Sequence, residues 1–228
     1  MGSIKQNLAQ VNAAIAAAAI RSGRTRDDIQ LVAVTKTIEP DRIRQLISAG
    51  AGCLGESRVQ EFLPKYVDII TPVSPTWHFI GNLQRNKVKF IVDKVKMIHS
   101  IDSVALAQEV NKRAMQASLT MDILVEINIA GEDSKHGIPP YLAADLVNRL
   151  ETLENLRIKG LMCIAPYVEN PQENRQYFAK MHDLLHHINS GRPQDKLLTE
   201  LSMGMSGDYE VAIEEGATIV RIGSALVN

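Results

Sequence analysis

Two spacings of apolar residues alternate along this chain: short runs of consecutive aliphatic and β-branched residues, and longer stretches where apolar positions recur every three or four residues. The runs are the signature of strands buried on both faces, and the longer spacing is that of helices with one apolar stripe. A helix over residues 4–22 comes first, with Ile4, Leu8, Val11, Ile15 and Ala18 or Ala19 on one face and Ser22-Gly23 as its stop. Leu31–Lys36 is the first strand, delivering a lysine at its C-terminal end. The pattern then predicts a helix over Asp41–Ala49, a short strand Cys53–Gly55, and a helix carrying Val59, Phe62, Leu63 and Tyr66. Thr76–Ile80 is a third strand with Leu83–Val92 helical behind it, and Lys96–His99 a fourth, followed by a helix over Ser103–Ala117. Strands Asp122–Asn128, Arg157–Ile164, Lys196–Leu201 and Thr218–Ile222 complete the set, separated by helices over Pro140–Leu153, Gln172–Ile188 and Gly207–Glu215.

Eight strands with helices between successive ones predict an α/β fold, a (β/α)8 TIM-type barrel with an extra N-terminal helix, since right-handed parallel crossovers make that closure natural. An open doubly wound sheet is the alternative. No linker composition or internal repeat divides the chain, so one domain over residues 1–228 is expected. No room remains for a helix of ordinary length after the eighth strand, and the leading helix is expected to cover that gap.

Of the 228 residues, 45% are hydrophobic and 22% charged, with a formal net charge of −1. That is enough for one sizeable core, and it lacks the basic stripe that nucleic-acid binding by backbone neutralisation needs. No apolar run reaches membrane-spanning length and the N-terminal residues carry no leader pattern, so a cytosolic protein with no membrane partner is expected. Cys53 and Cys163 sit far apart in apolar surroundings, as reduced, buried thiols do. No exposed apolar stripe is evident, which leans to a monomer.

In a barrel the C-terminal strand ends converge on one mouth. The sequence brings there Lys36, Glu56-Ser57, His78 with Gly81-Asn82, His99-Ser100, Asn128 with Lys135-His136, Met162 and Pro166, Ser202–Ser206, and Arg221–Ser224. The turn Ser202–Asp208 offers hydroxyls, glycines and a helix N-terminus to an anion, and Arg221–Ser224 is a second small-residue turn next door. Ordinary turn chemistry accounts for either alone, but loops after strands seven and eight are where barrels commonly hold a phosphate. Lys36 taken by itself is a strand cap reaching solvent, an anion clamp or, if desolvated, a Schiff-base nucleophile. Beside a phosphate site it suggests a ligand with both a phosphate and an aldehyde, and pyridoxal 5′-phosphate fits. The aldehyde would meet Lys36, the phosphate would sit on Ser206, Gly207, Gly223 and Ser224, and Arg221 would approach the ring nitrogen. A guanidinium is a poor proton donor and would weaken the ring as an electron sink. His78 is either a ring contact or a core histidine held by a backbone partner.

A class I aldolase would also use a barrel lysine, with Lys135 the second candidate. Lys135 lies in a polar loop where water keeps an amine charged, so Lys36 is favoured. Gly204–Asp208 lacks the second glycine of a hydrolase nucleophile elbow. His182 and His186 have the i, i+4 spacing of a zinc pair but no third ligand follows, and they read as outer-helix surface residues with no metal.

The segments VAVTKT (32–37), GES-RVQE (55–61), WHFIGNLQRNK (77–87), DSKHG (133–137), GLMCIAP (160–166) and LSMGMSGDYEVAIEEGATIVRIGSA (201–225) resemble the pyridoxal-phosphate homeostasis proteins along nearly the whole chain. The resemblance implies the barrel of the alanine racemase N-terminal domain, without that enzyme's β-rich second domain. It implies an internal aldimine on Lys36, and cofactor contacts at Ser57, His78, Ser202, Ser206, Gly207, Arg221, Gly223 and Ser224. The implied role is a carrier or regulator of vitamin B6 and amino-acid balance, with transient transfer of cofactor to apo-enzymes and no settled catalysis. A weak racemase-like enzyme is the alternative; it needs a second acid/base on the opposite face, which the resemblance assigns to the missing domain or a partner subunit. Ser57 stands where the family usually has asparagine, and the last motif ends Ser224-Ala225-Leu226-Val227-Asn228 where the family usually has Thr-Ala-Ile-Phe-Gly.

Overall fold

The computed structural model describes residues 3–69 and 74–227; the tail residue Asn228 lies outside them. Helix α1 (Ile4–Arg21) begins at a capping box, in which Ser3 Oγ accepts from the Gln6 N–H and Gln6 Oε1 accepts from the Ser3 N–H. The chain then alternates through β1 (Gln30–Val34), α2 (Pro40–Ser48), β2 (Cys53–Glu56), α3 (Val59–Asp68), β3 (Thr76–Phe79), β4 (Met97–Ile101), α4 (Val104–Gln116) and β5 (Met121–Ile127). It continues through α5 (Ala143–Leu150), β6 (Leu156–Cys163), α6 (Arg175–Asn189), β7 (Glu200–Ser202), α7 (Tyr209–Glu214), β8 (Ile219–Ile222) and a single turn, α8 (Ser224–Val227).

Every strand pairs in parallel with its successor, and β8 closes on β1 with Gln30 opposite Ile219 and Ala33 opposite Ile222. The closed barrel excludes the open sheet. Alternate residues of a strand face opposite sides, and here the two sides form two cores. Ala33, Leu54, Phe79, Ile98, Ile123, Leu161, Leu201 and Val220 join the helices in one continuous apolar shell. Val32, Cys53, Ile80, Met97, Leu124, Met162 and Ile219 pack in the lumen as a separate plug. Both cysteines are free and buried. Helix α1 packs on α2, α7 and α8, where a full eighth helix would otherwise stand.

Three elements differ from expectation. The first strand ends at Val34 instead of running to Lys36: the Thr35 N–H makes a last bond to Gly55 O (3.0 Å), and the Ile38 N–H then bonds back to Thr35 O (3.0 Å), closing a turn. Leu83–Val92 forms only a 3₁₀ segment, Arg85–Phe90, although Leu83, Val88, Ile91 and Val92 are all buried in the core. Strand seven is Glu200–Ser202, not Lys196–Leu201. Asn189 of α6 donates to Leu198 O (2.8 Å) and accepts from its N–H (2.9 Å), tying the preceding residues to the helix layer. That shift puts Ser202 on a strand.

Candidate functional site

Lys36 lies in the turn after β1, exposed, and makes no hydrogen bond or ion pair among the described residues. The lysine thus stands beyond the strand, in the turn that follows it. The turn is unusual: Thr37 has φ 97°, a left-handed conformation that a β-branched residue adopts only under strain, at about 1–3 kcal/mol. What holds the strand end in place lies behind it. Thr35 Oγ1 donates to Glu56 Oε1 (2.7 Å), and Lys65 Nζ of α3 donates to both Thr35 O (2.6 Å) and Glu56 Oε1 (2.8 Å). Glu56, expected at the mouth, instead faces α3 because it alternates with the lumen residue Cys53 and with Gly55.

The phosphate candidates come together on the neighbouring strands. The N–H groups of Gly223 and Ala225 both donate to Ser206 Oγ, at 3.2 and 3.3 Å, so the turns after β7 and β8 converge on one oxygen. Asp208 shapes the first turn by accepting from the Met205 N–H (2.7 Å) and from Asn174 Nδ2 (2.8 Å). Gly204 has φ +90°, and a Cβ there would stand 2.6 Å from Ala212 Cβ, so only glycine serves. Gly223 runs close beside β1, with an added Cβ 3.3 Å from Val34 Cβ, whereas one on Gly207 would meet open space. Donors converging on an oxygen, with room beside them, fit a phosphate. Ser224 is exposed at the start of α8.

Below the mouth is a polar layer that the sequence showed only in fragments. Arg221, 4% exposed, donates to Ser202 Oγ (2.6 Å) and to Cys163 O (2.8 Å). Ser202 Oγ is 3.0 Å from His99 Nδ1, and His99 Nε2 is 2.9 Å from His78 Nδ1. Burial drives His78 down to about 4, with Asp122 opposing and Lys96 assisting, and drives His99 well below the usual histidine range, helped by His78 and Arg221. Both rings are neutral near pH 7. Glu126 on β5 is raised to about 7 by burial and by Asp102, against the pull of Arg221. Burial lowers Arg221, and Cys163, Glu126 and Asp208 oppose that shift. The Cys163 thiol is pushed up to about 12 by burial and is inert.

The chain matches the model of the family "Alanine racemase, N-terminal domain" over residues 4–228. A pyridoxal phosphate homeostasis protein from Aquifex aeolicus is 44% identical over 221 residues, 97% of this chain and 96% of that protein. One from Escherichia coli is 37% identical, covering 99% and 96%. The chain belongs to the pyridoxal phosphate homeostasis protein family. The solved structure of PipY from Synechococcus elongatus with PLP bound aligns at a TM-score of 0.86 and 31% identity, over 99% of this chain and all of that one. An alanine racemase from Clostridium difficile aligns at 0.74 with 15% identity and is spanned over only 56% of its length, a likeness of fold alone.

Within this member of the pyridoxal phosphate homeostasis family, the residues singled out by sequence fall into two groups. Lys36, Ser206, Gly207, Gly223 and Ser224 lie at the rim. Ser57 joins them half-buried beyond β2, its backbone so close to Gly81 that an added Cβ there would stand 2.1 Å from Ser57 O. His78, Ser202 and Arg221 lie beneath, all at most 4% exposed. The partner of His78 is a side chain, His99, where sequence reasoning offered a ligand or a backbone group. Glu126 and Lys65 were not foreseen; a carboxylate on the inward parity of a buried strand was the available signal for Glu126. Lys135, expected free in water, has its Nζ 2.8 Å from Glu132 Oε1. His182 and His186 meet Nε2 to Nε2 at 3.1 Å on the exposed side of α6, and no group of three or more His, Cys, Asp or Glu gathers among the described residues.

Proposed function

We propose that this chain binds pyridoxal 5′-phosphate, retains it covalently on Lys36, and serves vitamin B6 and amino-acid balance as a carrier or regulator without robust turnover. The observation that carries the reading is the meeting of the Ser206 and Gly223–Ala225 turns on one oxygen, beside the strand whose next turn presents a lysine unpartnered among the described residues. The names of its relatives and the PLP-bound PipY support it. Bound there, the group supplies an aldehyde that condenses with an amine, releasing water, and a pyridine ring able to accept electron density.

The chain's own residues then divide the work. Lys36 presents the amine, and Ser206, Gly207, Gly223 and Ser224 take the phosphate. Arg221 donates an N–H to the ring nitrogen and keeps its proton, which limits the ring as an electron sink. His78 and Ser202 act from below, through Arg221, and Ser57 lines the rim. Both ring nitrogens of His99 are engaged, one by Ser202 and one by His78, which leaves His99 unavailable as the second acid/base of a racemase. The reading extends to transfer of the cofactor to apo-enzymes by a cytosolic monomer, with neither nucleic acid nor metal as partner. Among the described residues no helix is long and apolar enough to cross a membrane.

The purified protein should be yellow, and borohydride reduction followed by peptide mass spectrometry should find the pyridoxyl mass on Lys36. A label on Lys135, or no label, defeats the site. Deuterium at Cα of alanine or serine should not accumulate over many turnovers in the loaded protein; sustained exchange would make it an enzyme.

A further inference from the structure

The lumen contains a relay of four side chains, each at most 4% exposed, that runs from Arg221 through Ser202 and His99 to His78. Its direction follows from donor chemistry. A guanidinium only donates, so Ser202 Oγ is the acceptor toward Arg221, and the serine's single proton has His99 Nδ1, 3.0 Å away, as its acceptor. His99 Nδ1 therefore carries no proton, its N–H is at Nε2, and it donates to His78 Nδ1 at 2.9 Å. The opposite arrangement would leave the Ser202 hydroxyl proton without an acceptor in a layer closed to water, at about 1–3 kcal/mol.

We infer that His99 is a positioning residue for Arg221: by accepting the Ser202 proton it turns the serine lone pair toward the guanidinium, and so aims the remaining arginine N–H groups at the ring nitrogen. This rests on the proposed reading that Arg221 meets that nitrogen. The relay has a second anchor in Cys163 O, which takes Arg221 Nη2 at 2.8 Å, so the guanidinium is held from two strands. His99 reaches Arg221 through Ser202, so changing it reads that link of the relay directly.

The test uses the full chain loaded with pyridoxal 5′-phosphate labelled with ¹⁵N in the ring, read by ¹⁵N NMR. His99→Asn leaves an amide near the position of Nδ1 and retains the serine contact; His99→Gln moves the amide toward the position of Nε2 and loses it. The ring-nitrogen resonance should shift in His99→Gln, with cofactor retention weakened about tenfold, and should stay close to that of the unmodified chain in His99→Asn. Equal responses in the two variants, or none in His99→Gln, overturn the inference. If His99→Gln does not fold, Ser202→Ala severs the same link and must give the same shift; an unmoved resonance there overturns it as well. Borohydride mapping separates the two layers of the argument. Absence of an adduct on Lys36 in the unmodified chain removes the cofactor site and the inference with it, whereas a normal adduct with an unresponsive ring nitrogen removes the role of His99 alone.

Discussion

On three strands of the barrel the lumen changes character from apolar to polar toward the mouth. On β4, β5 and β8 the apolar Met97, Leu124 and Ile219 are each followed, two residues nearer the mouth, by His99, Glu126 and Arg221. A two-residue step keeps the side chain on the same face and raises it by about 6–7 Å. The lower layer is stabilised by burial, at about 1.5–3 kcal/mol for each aliphatic side chain. The upper layer is costly: a charge taken from water is repaid only when hydrogen bonds and opposite charge surround it, and apolar side chains of similar volume usually serve stability as well or better. The order is reversed on β3, where His78 lies deeper than the plug residue Ile80, and on β5 the buried Asp122 lies deeper than Leu124, so the polar groups are not confined to the mouth.

Breaking the lower layer should have the largest effect. Leu124→Ala should cost about 2–5 kcal/mol by leaving a cavity, read as a lower urea midpoint, while the cofactor content of each folded molecule stays unchanged. Loss of cofactor in proportion to stability would mean the layers are not separable.

The next effect is electrostatic. Glu126 titrates at about 7 when folded, against 4.5 as its ordinary value, so the folded state holds an extra proton between those limits and the contribution of Glu126 declines as pH rises through them. His78, at about 4 against 6.5, works in the opposite sense and loses its contribution as pH falls through that window. The slopes of Glu126 and His78 oppose each other, and His99, also held below the usual histidine range, adds to the sense of His78. Glu126→Gln removes the first, so its stability relative to the unmodified chain should rise by about 3 kcal/mol between pH 4.5 and 7. Parallel stability curves across that range would show that Glu126 does not hold the proton.

The smallest effect belongs to the rim. Ser206→Ala removes the oxygen on which the Gly223 and Ala225 amides converge, at about 1 kcal/mol of stability. It also frees both amides for an anion, so affinity for inorganic phosphate should change by no more than several-fold, measured by calorimetry. Complete loss would mean that the Ser206 hydroxyl itself is the principal phosphate contact.

The barrel was legible because eight apolar runs at regular intervals admit few closures. The rim was legible for a related reason: Lys36, Ser206 and Gly223 follow strands directly, and a strand end in this fold has one address. The interior was not. Ser202 was read as part of a turn because the limits of strand seven depend on Asn189, a residue of the preceding helix. Glu56 was assigned to the mouth because parity distinguishes the two faces of a strand without saying which one is the lumen.

The sequence by itself determined the barrel, the family and a lysine standing near two small-residue turns, since each of these is carried by local pattern and spacing. Only the tertiary structure decided that Lys36 lies in a turn beyond the strand, that Glu56 faces outward to Lys65, and that His99 reaches Ser202 across 103 positions of chain. Hydrogen bonds between strands distant in sequence depend on register and side-chain direction, and those are settled when the barrel closes.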